Sequence, residues 1–349
     1  MQRIIDANFN RAREALRVVE EYCRFALDSK RLGSRAKELR HQLCSIIGEL
    51  DGGALVACRD SDGDVGVGVE VEDQLRRSGL EDCFTAGCKR LSEALRVLGE
   101  MISIESRERG GRIERIRFAA YSLEKDIVMH SEPAGKYARV RLYVVITSDF
   151  PVEVLSLAAK CAAGGADCIQ MRAKAVDDEK LFAMAAEFVK ICREGGALSI
   201  INDRADIAIA SGADGVHVGQ EDLPVEQVRR LANRPLIIGK STHAREQLEA
   251  AIEDGVTYAA LGPVFATGTK PKVPAVTLDY VRQGAKMLEG TGIGNVAIGG
   301  ITVENVGEVI AAGARSIAVC AAATQVADPA GACRALRGRI VEVLGEAGE

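Results

Sequence analysis

Several short polar clusters in the C-terminal two-thirds of this 349-residue chain carry side chains suited to phosphate and metal chemistry. In Gln170-Met171-Arg172-Ala173-Lys174 an extended backbone sends Gln170, Arg172 and Lys174 to one side and Met171 and Ala173 to the other. One face then carries an amide and two cations. That suits a neutral heterocycle beside a polyanion, because Arg and Lys both bind phosphate oxygens. Asn202-Asp203-Arg204 and Gly219-Gln220-Glu221-Asp222 offer carboxylates. Two such oxygens suit Mg²⁺, which takes a few carboxylates plus substrate phosphates and water rather than a full protein cage. Asp222, just before Leu223-Pro224, is also suited to capping a helix.

Lys240-Ser241-Thr242-His243 and the loop from Gly262 through Thr267, Thr269 and Lys270 put hydroxyls and a lysine near glycine, as a phosphate cradle would. The order G-x-x-x-x-G-K-[ST] of a Walker A loop is not matched. Gly299-Gly300-Ile301-Thr302 and Cys320-Ala321-Ala322 combine small residues with the bare N–H groups that bind anions at a helix start. Two phosphate-type sites, one with carboxylates and cations and one of backbone amides, imply two phosphorylated small-molecule substrates. No acid–base pair stands out. His217, inside apolar Val216-His217-Val218, reads as a core histidine, and His243 stays open between core and site.

A repeating unit positions these groups. Short β-branched runs alternate with Ala-rich helical stretches at Leu142–Thr147, Cys168–Met171, Leu198–Ile201, Gly215–Val218, Leu236–Gly239, Tyr258–Leu261, Asn295–Ile298 and Ile317–Cys320. Eight runs suit a closed (β/α)₈ barrel, whose functional groups come from the C-terminal strand ends. Gly164-Gly165, Gly212, Gly255 and Gly313 stand where a helix must stop in a left-handed turn before the next strand.

The N-terminal third has a different texture. Ala15, Leu16, Val18, Val19, Tyr22, Cys23 and Leu27 recur with helical period. Arg11–Glu21 aligns without gaps with Arg90–Glu100 through a shared Glu-Ala-Leu-Arg-Val, and each copy precedes a basic amphipathic segment, Arg35–Ile47 or Arg112–Val128. Two related helical hairpins in a bundle is the economical arrangement. Asp60–Gly68 between them reads as a long turn. The expected organisation is an α-helical domain over 1–132, a Pro- and Gly-containing linker at 133–139, and an α/β barrel over 140–349.

Composition bounds the rest. With 47% hydrophobic and 27% charged residues the chain has material for real cores. A net charge of −5 gives no general attraction to nucleic acid, and no run approaches the length of a membrane span. A cytoplasmic location is therefore expected. Ten scattered cysteines read as buried thiols, and the four histidines do not join them at zinc-ligand spacing.

At these residues the barrel resembles the thiamine-phosphate synthase family over roughly residues 140–340. Gln170-x-Arg172-x-Lys174, Asn202-Asp203, Gly219-Gln220-Glu221-Asp222, Ser241-x-His243, Gly262-Pro263-x-x-x-Thr267-x-Thr269-Lys270 and Ile298-Gly299-Gly300-Ile301 occur in the family's order. The resemblance implies a transferase that joins hydroxymethylpyrimidine diphosphate to thiazole phosphate and releases pyrophosphate. It implies that Gln170 holds the aminopyrimidine and that Arg172, Lys174, Asn202 and Lys270 contact its diphosphate. Asp203 and Asp222 would bind Mg²⁺. Ser241, Thr267 and Thr269 would line the reacting region, with Ser241, Lys270 and Arg172 as the catalytic set. Amides near Gly300 and Ala321 would hold the thiazole phosphate. Ala321 stands where a hydroxyl can assist in the family, and Lys240 places an extra cation next to Ser241 in sequence.

The helical third resembles the accessory domain of some members, through Asp6-Ala7-Asn8-x-Asn10-Arg11-Ala12-Arg13-Glu14 and Arg59-Asp60-x-x-Gly63-Asp64-Val65-Gly66. A packing or homo-oligomerisation role is expected of it. Two rival readings share parts of the pattern: a thiazole tautomerase-like isomerase, which needs no diphosphate site, and a non-enzymatic regulator that binds thiamine phosphates.

Overall fold

The structure is a computed structural model that describes residues 1–50, 52–60, 63–65, 76–266 and 275–345. The chain divides into two compact units, Met1–Val128 and Met129–Glu349.

The first unit is helical: α1 (Gln2–Glu21) with a π-helical turn (Tyr22–Ala26), α2 (Lys30–Gly48), α3 (Gly52–Ala57), α4 (Leu80–Glu105) and the greater part of α5 (Arg107–Tyr137). The two Glu-Ala-Leu-Arg-Val copies lie on α1 and α4, which pack along each other. Ala15, Leu16, Ala94 and Leu95 are all buried in that interface's core, with Leu43 of α2 and Ile113 of α5. The basic segments expected after each copy lie within α2 and α5. Ser29 caps α2 by accepting from the Leu32 N–H at 3.4 Å. Asp6 accepts two hydrogen bonds from the Arg59 guanidinium, at 2.6 and 2.9 Å, and so ties the start of α1 to the segment after α3. The expected turn at Asp60–Gly68 falls partly outside the described residues.

The stretch 133–139, expected as a linker, is helical through Tyr137, with Pro133 inside α5. Proline in a helix interior is costly. Here burial holds the last turn: Tyr137 is buried and stacks on Tyr258 with ring centroids 4.2 Å apart.

In the second unit the chain alternates strand and helix: β1 (Leu142–Thr147), α6 (Pro151–Ala163), β2 (Cys168–Arg172), α7 (Asp178–Glu194), β3 (Leu198–Asn202), α8 (Ala205–Ser211), β4 (Gly215–Val218) and α9 (Val225–Leu231). It continues through β5 (Ile237–Thr242), α10 (Arg245–Asp254), β6 (Tyr258–Leu261), α11 (Thr277–Leu288), β7 (Gly294–Ile298), α12 (Val306–Ala311), β8 (Ser316–Val319), α13 (Ala321–Thr324) and α14 (Pro329–Leu344). All strand pairs are parallel, and β8 pairs back onto β1 to close the barrel, as expected. Side chains that alternate outward, such as Val144, Ile169, Val216, Ala259 and Val319, pack beneath the helices. Those that alternate inward, such as Tyr143, Cys168, Ile200, Tyr258 and Val296, fill the barrel. The expected helix stops are present: Gly165, Gly212, Gly255 and Gly313 all have left-handed φ between +64° and +102°.

β5 runs further than the apolar residues alone indicate, to Thr242. Ser241 is thereby an inward strand residue and Lys240 an outward one. This corrects the expectation of an extra cation beside Ser241, since the Lys240 ammonium pairs with Asp254 of α10 at 2.9 Å.

Candidate active site

Parallel closure places every strand's C-terminal end on one rim, so Arg172, Asn202, Ser241, Gly300 and Ala321 all belong to the same end of the barrel. Asp203 follows β3 with φ +61°, and its N–H donates to the His217 carbonyl at 2.8 Å. Burial pushes the Asp203 carboxyl above the usual range, the neighbouring Asp222 carboxylate pushes it further, and Lys174 opposes both. The Lys174 ammonium lies 3.5 Å from Asp203 Oδ2. Two carboxylates and a cation from three different loops therefore converge.

Asp222 accepts from the Gly219 N–H at 2.6 Å. The helix after it, α9, has Pro224 at its N-cap position and no side-chain cap, so Asp222 braces its own loop and is not a helix cap. Arg172 and Lys174 line, with Thr147, Ser148 and Phe150, a cavity of about 440 Å³. Its wall is set by Asp149, whose carboxylate accepts the backbone N–H groups of Lys174 and Ala175 at 2.7 and 3.1 Å. Sequence reasoning missed Asp149. Its signal was an acidic residue two positions beyond the first run, Leu142–Thr147, as Asp203 is two beyond Leu198–Ile201.

Beneath the rim the inward side chains form a polar line. The buried Gln170 amide nitrogen donates to Tyr143 Oη at 2.7 Å, and Tyr143 Oη lies 2.9 Å from Tyr258 Oη. Tyr258 Oη is 2.9 Å from His217 Nδ1, and His217 Nε2 is 2.9 Å from Ser241 Oγ. His217 is thus a core histidine with both ring nitrogens satisfied, one by Tyr258 and the other by the candidate site residue Ser241. Its inward direction follows from β4, where Val216 and Val218 on either side face outward. Burial pushes the Tyr143 and Tyr258 hydroxyls well above the usual tyrosine range, so both keep their protons. Gln220 donates to the Ser241 carbonyl at 2.5 Å and ties the β4 loop to β5.

His243 serves the next loop. Its N–H donates to Gln247 Oε1 at 2.8 Å and its ring Nδ1 bonds the Gly262 carbonyl. Thr267, Thr269 and Lys270 lie outside the described residues. After β7, Asn305 donates to the Gly300 carbonyl at 3.0 Å and accepts the Thr302 N–H at 2.8 Å, which fixes the turn. A Cβ on Gly300 would sit 2.8 Å from Phe265 Cβ and from the Ala266 carbonyl oxygen, so the β6 and β7 loops touch here only with glycine. Ala321 opens α13, and the first N–H groups of a helix have no partner within it. Among the described residues no group of three or more His, Cys, Asp or Glu side chains could hold a metal. The paired aspartates are the available hard-oxygen donors.

Fold and site together define a (β/α)₈-barrel enzyme with carboxylates, cations and backbone amides on one rim. The thiamine monophosphate synthase family model matches residues 142–323, and the ThiD2 family model matches residues 3–126. The thiamine-phosphate synthase of Thermosynechococcus vestitus is 37% identical over 343 residues, covering 97% of this chain and 95% of that one. That of Gloeobacter violaceus is 39% identical, covering 94% and 93%. Among solved structures, a thiamine phosphate pyrophosphorylase from Pyrococcus furiosus superposes with a TM-score of 0.54 at 32% identity, over 60% of this chain and 99% of that one. The chain belongs to the thiamine monophosphate synthase family.

Proposed function

We propose that this chain condenses 4-amino-2-methyl-5-hydroxymethylpyrimidine diphosphate with 4-methyl-5-(2-phosphoethyl)thiazole to give thiamine phosphate and pyrophosphate. The observation that carries the reading is the meeting of Asp203, Asp222 and Lys174 on the rim above buried Gln170. The near-full-length likeness to thiamine-phosphate synthases supports it.

The residues fit Mg²⁺. Two carboxylates close enough for one to raise the other's affinity for protons offer hard oxygens and a negative field, and leave coordination positions for phosphate oxygens and water. Held by Asp203 and Asp222, the ion supplies positive charge at the diphosphate. Gln170 holds the aminopyrimidine through its amide. Arg172, Lys174 and Asn202 contact the diphosphate, to which the resemblance alone would add Lys270, and cations there stabilise the charge that grows as the methylene C–O bond breaks. The bonding pair leaves with the diphosphate. The lone pair of the thiazole nitrogen then forms the new C–N bond, so no protein nucleophile is needed. Ser241 lines the reacting region, where the resemblance alone would add Thr267 and Thr269, while the amides near Gly300 and Ala321 orient the thiazole phosphate.

Purified protein given both substrates and Mg²⁺ should release pyrophosphate in step with thiamine phosphate. Isomerisation of a thiazole phosphate without Mg²⁺ or pyrophosphate would replace this reading with the tautomerase, and tight binding without turnover would replace it with the regulator.

The reading carries with it small-molecule substrates, no nucleic-acid or membrane partner, and work in the cytoplasm. The net charge of −5 gives no general attraction to nucleic acid, and among the described residues no helix is long and apolar enough to cross a membrane. The helical unit is assigned a packing or homo-oligomerisation role on its amphipathic helices.

A further inference from the structure

The line Gln170–Tyr143–Tyr258–His217–Ser241 is one unbroken chain of side-chain hydrogen bonds across the barrel interior. Each of its three inner members can give one proton and accept another, so a direction chosen at one end is imposed at the other. The amide nitrogen of Gln170 can only donate. With each hydroxyl spending its proton inside the line, Tyr143 then gives its proton to Tyr258, Tyr258 gives its own to His217 Nδ1, and a neutral His217 gives its Nε2 proton to Ser241 Oγ.

We propose that Tyr143, Tyr258 and His217 are positioning residues that couple Gln170 to Ser241, so that when the Gln170 amide presents its carbonyl oxygen to a ligand, Ser241 presents its hydroxyl proton. This deepens the reading above, on which it rests, by specifying the ligand's edges. A flat heterocycle that donates at Gln170 and accepts at Ser241 is matched at both ends. One with the opposite pattern at only one end sets the chain against itself and leaves a buried polar group unsatisfied. The packing holds the middle of the chain still. Tyr258 stacks on Tyr137 at an interplanar angle of 3°, and a Cβ at Gly239 would run into the Tyr258 ring. Neither ring needs the hydroxyl for these contacts, so the hydroxyl can be removed without removing the support.

The test uses the full chain with ¹⁵N-labelled histidine. With four histidines in the sequence, the His217 resonances are assigned by their loss in His217→Asn. The expected ring carries its proton on Nε2 and none on Nδ1. A proton on Nδ1, in the neutral or the charged ring, would overturn the direction. Tyr258→Phe should abolish this tautomer preference and lower the thermal midpoint, since Tyr143 and His217 each lose a buried partner, without loss of the fold, and should raise KM for the pyrimidine diphosphate roughly three- to tenfold with a smaller change in kcat. Gln170→Ala and Ser241→Ala should be non-additive in KM in the native background and additive in Tyr258→Phe. Additivity in both backgrounds would sink the coupling. The nitrogen spectrum needs no turnover, so it separates failure of this inference from failure of the proposed reaction.

Discussion

Asp203 is pulled in opposite directions. Burial and the Asp222 carboxylate favour its protonated form, while Lys174 favours the charged one. If the pair exists to hold Mg²⁺, the protein carries a repulsion that Lys174 offsets in part and the ion would relieve further. Asp203→Ala and Asp222→Ala are each expected to lower kcat/KM about a hundredfold or more, with the far-ultraviolet circular dichroism unchanged. Asp203→Asn separates the cost from the use. It should raise the stability of the metal-free protein by about 0.5–1 kcal/mol, and should remove the stabilisation that added Mg²⁺ gives the native chain. An equal rise in thermal midpoint on adding Mg²⁺ to both proteins would end the metal assignment. The aspartates could be found in the sequence because each is a carboxylate just beyond an apolar run. Tyr143 and Tyr258 could not. Within a β-branched run a tyrosine counts as apolar filling, and only the closed barrel brings two such hydroxyls together from strands 115 residues apart.

Elements decide what a residue faces. The eight runs were legible because their period and their glycine stops are local properties. The end of β5 was not, since Lys240-Ser241-Thr242 looks like a polar loop until its pairing with Ala259, Ala260 and Leu261 is known. That pairing turns Lys240 toward α10 and away from Ser241. Lys240→Ala should leave kcat/KM within about twofold and cost at most about 1 kcal/mol through the lost pair with Asp254. A tenfold fall in kcat/KM at unchanged stability would restore Lys240 to the site. In the helical unit the Asp6–Arg59 pair does comparable work between elements. The hydrogen bond from Arg59 holds the Asp6 carboxyl below the usual carboxylate range, so its stabilising effect is complete above the unfolded value and is lost as pH falls through the lowered one. Asp6→Asn should therefore lower the unfolding midpoint of the helical unit by about 2–4 °C at neutral pH, and the difference should close in acid.

At the scale of the whole molecule, Pro133, Ala134 and Gly135 have the texture of a linker, yet they lie just after the division at Val128 and Met129 and are helical. Helix α5 passes through them, and its last residue, Tyr137, supplies part of the barrel core. The texture of a linker is a statement about local preference, and burial of one aromatic ring outweighs it. The barrel must therefore be cut free upstream of Tyr137. A chain beginning at Met129 keeps the ring against Tyr258, whereas one beginning at Arg139 leaves its place beside Tyr258 and Gly294 empty. Loss of a buried aromatic side chain costs about 3–5 kcal/mol, so the shorter chain should unfold at a markedly lower denaturant concentration than the longer one. Tyr137→Ala in the full chain should reproduce most of that loss. Equal denaturation midpoints for the two truncated chains would mean that the ring is not part of the barrel's core. With the Met129 chain as the stable reference, pyrophosphate release and sedimentation of that chain against the full protein then read the contribution of the helical unit. Unchanged activity and assembly state would remove its packing and oligomerisation role.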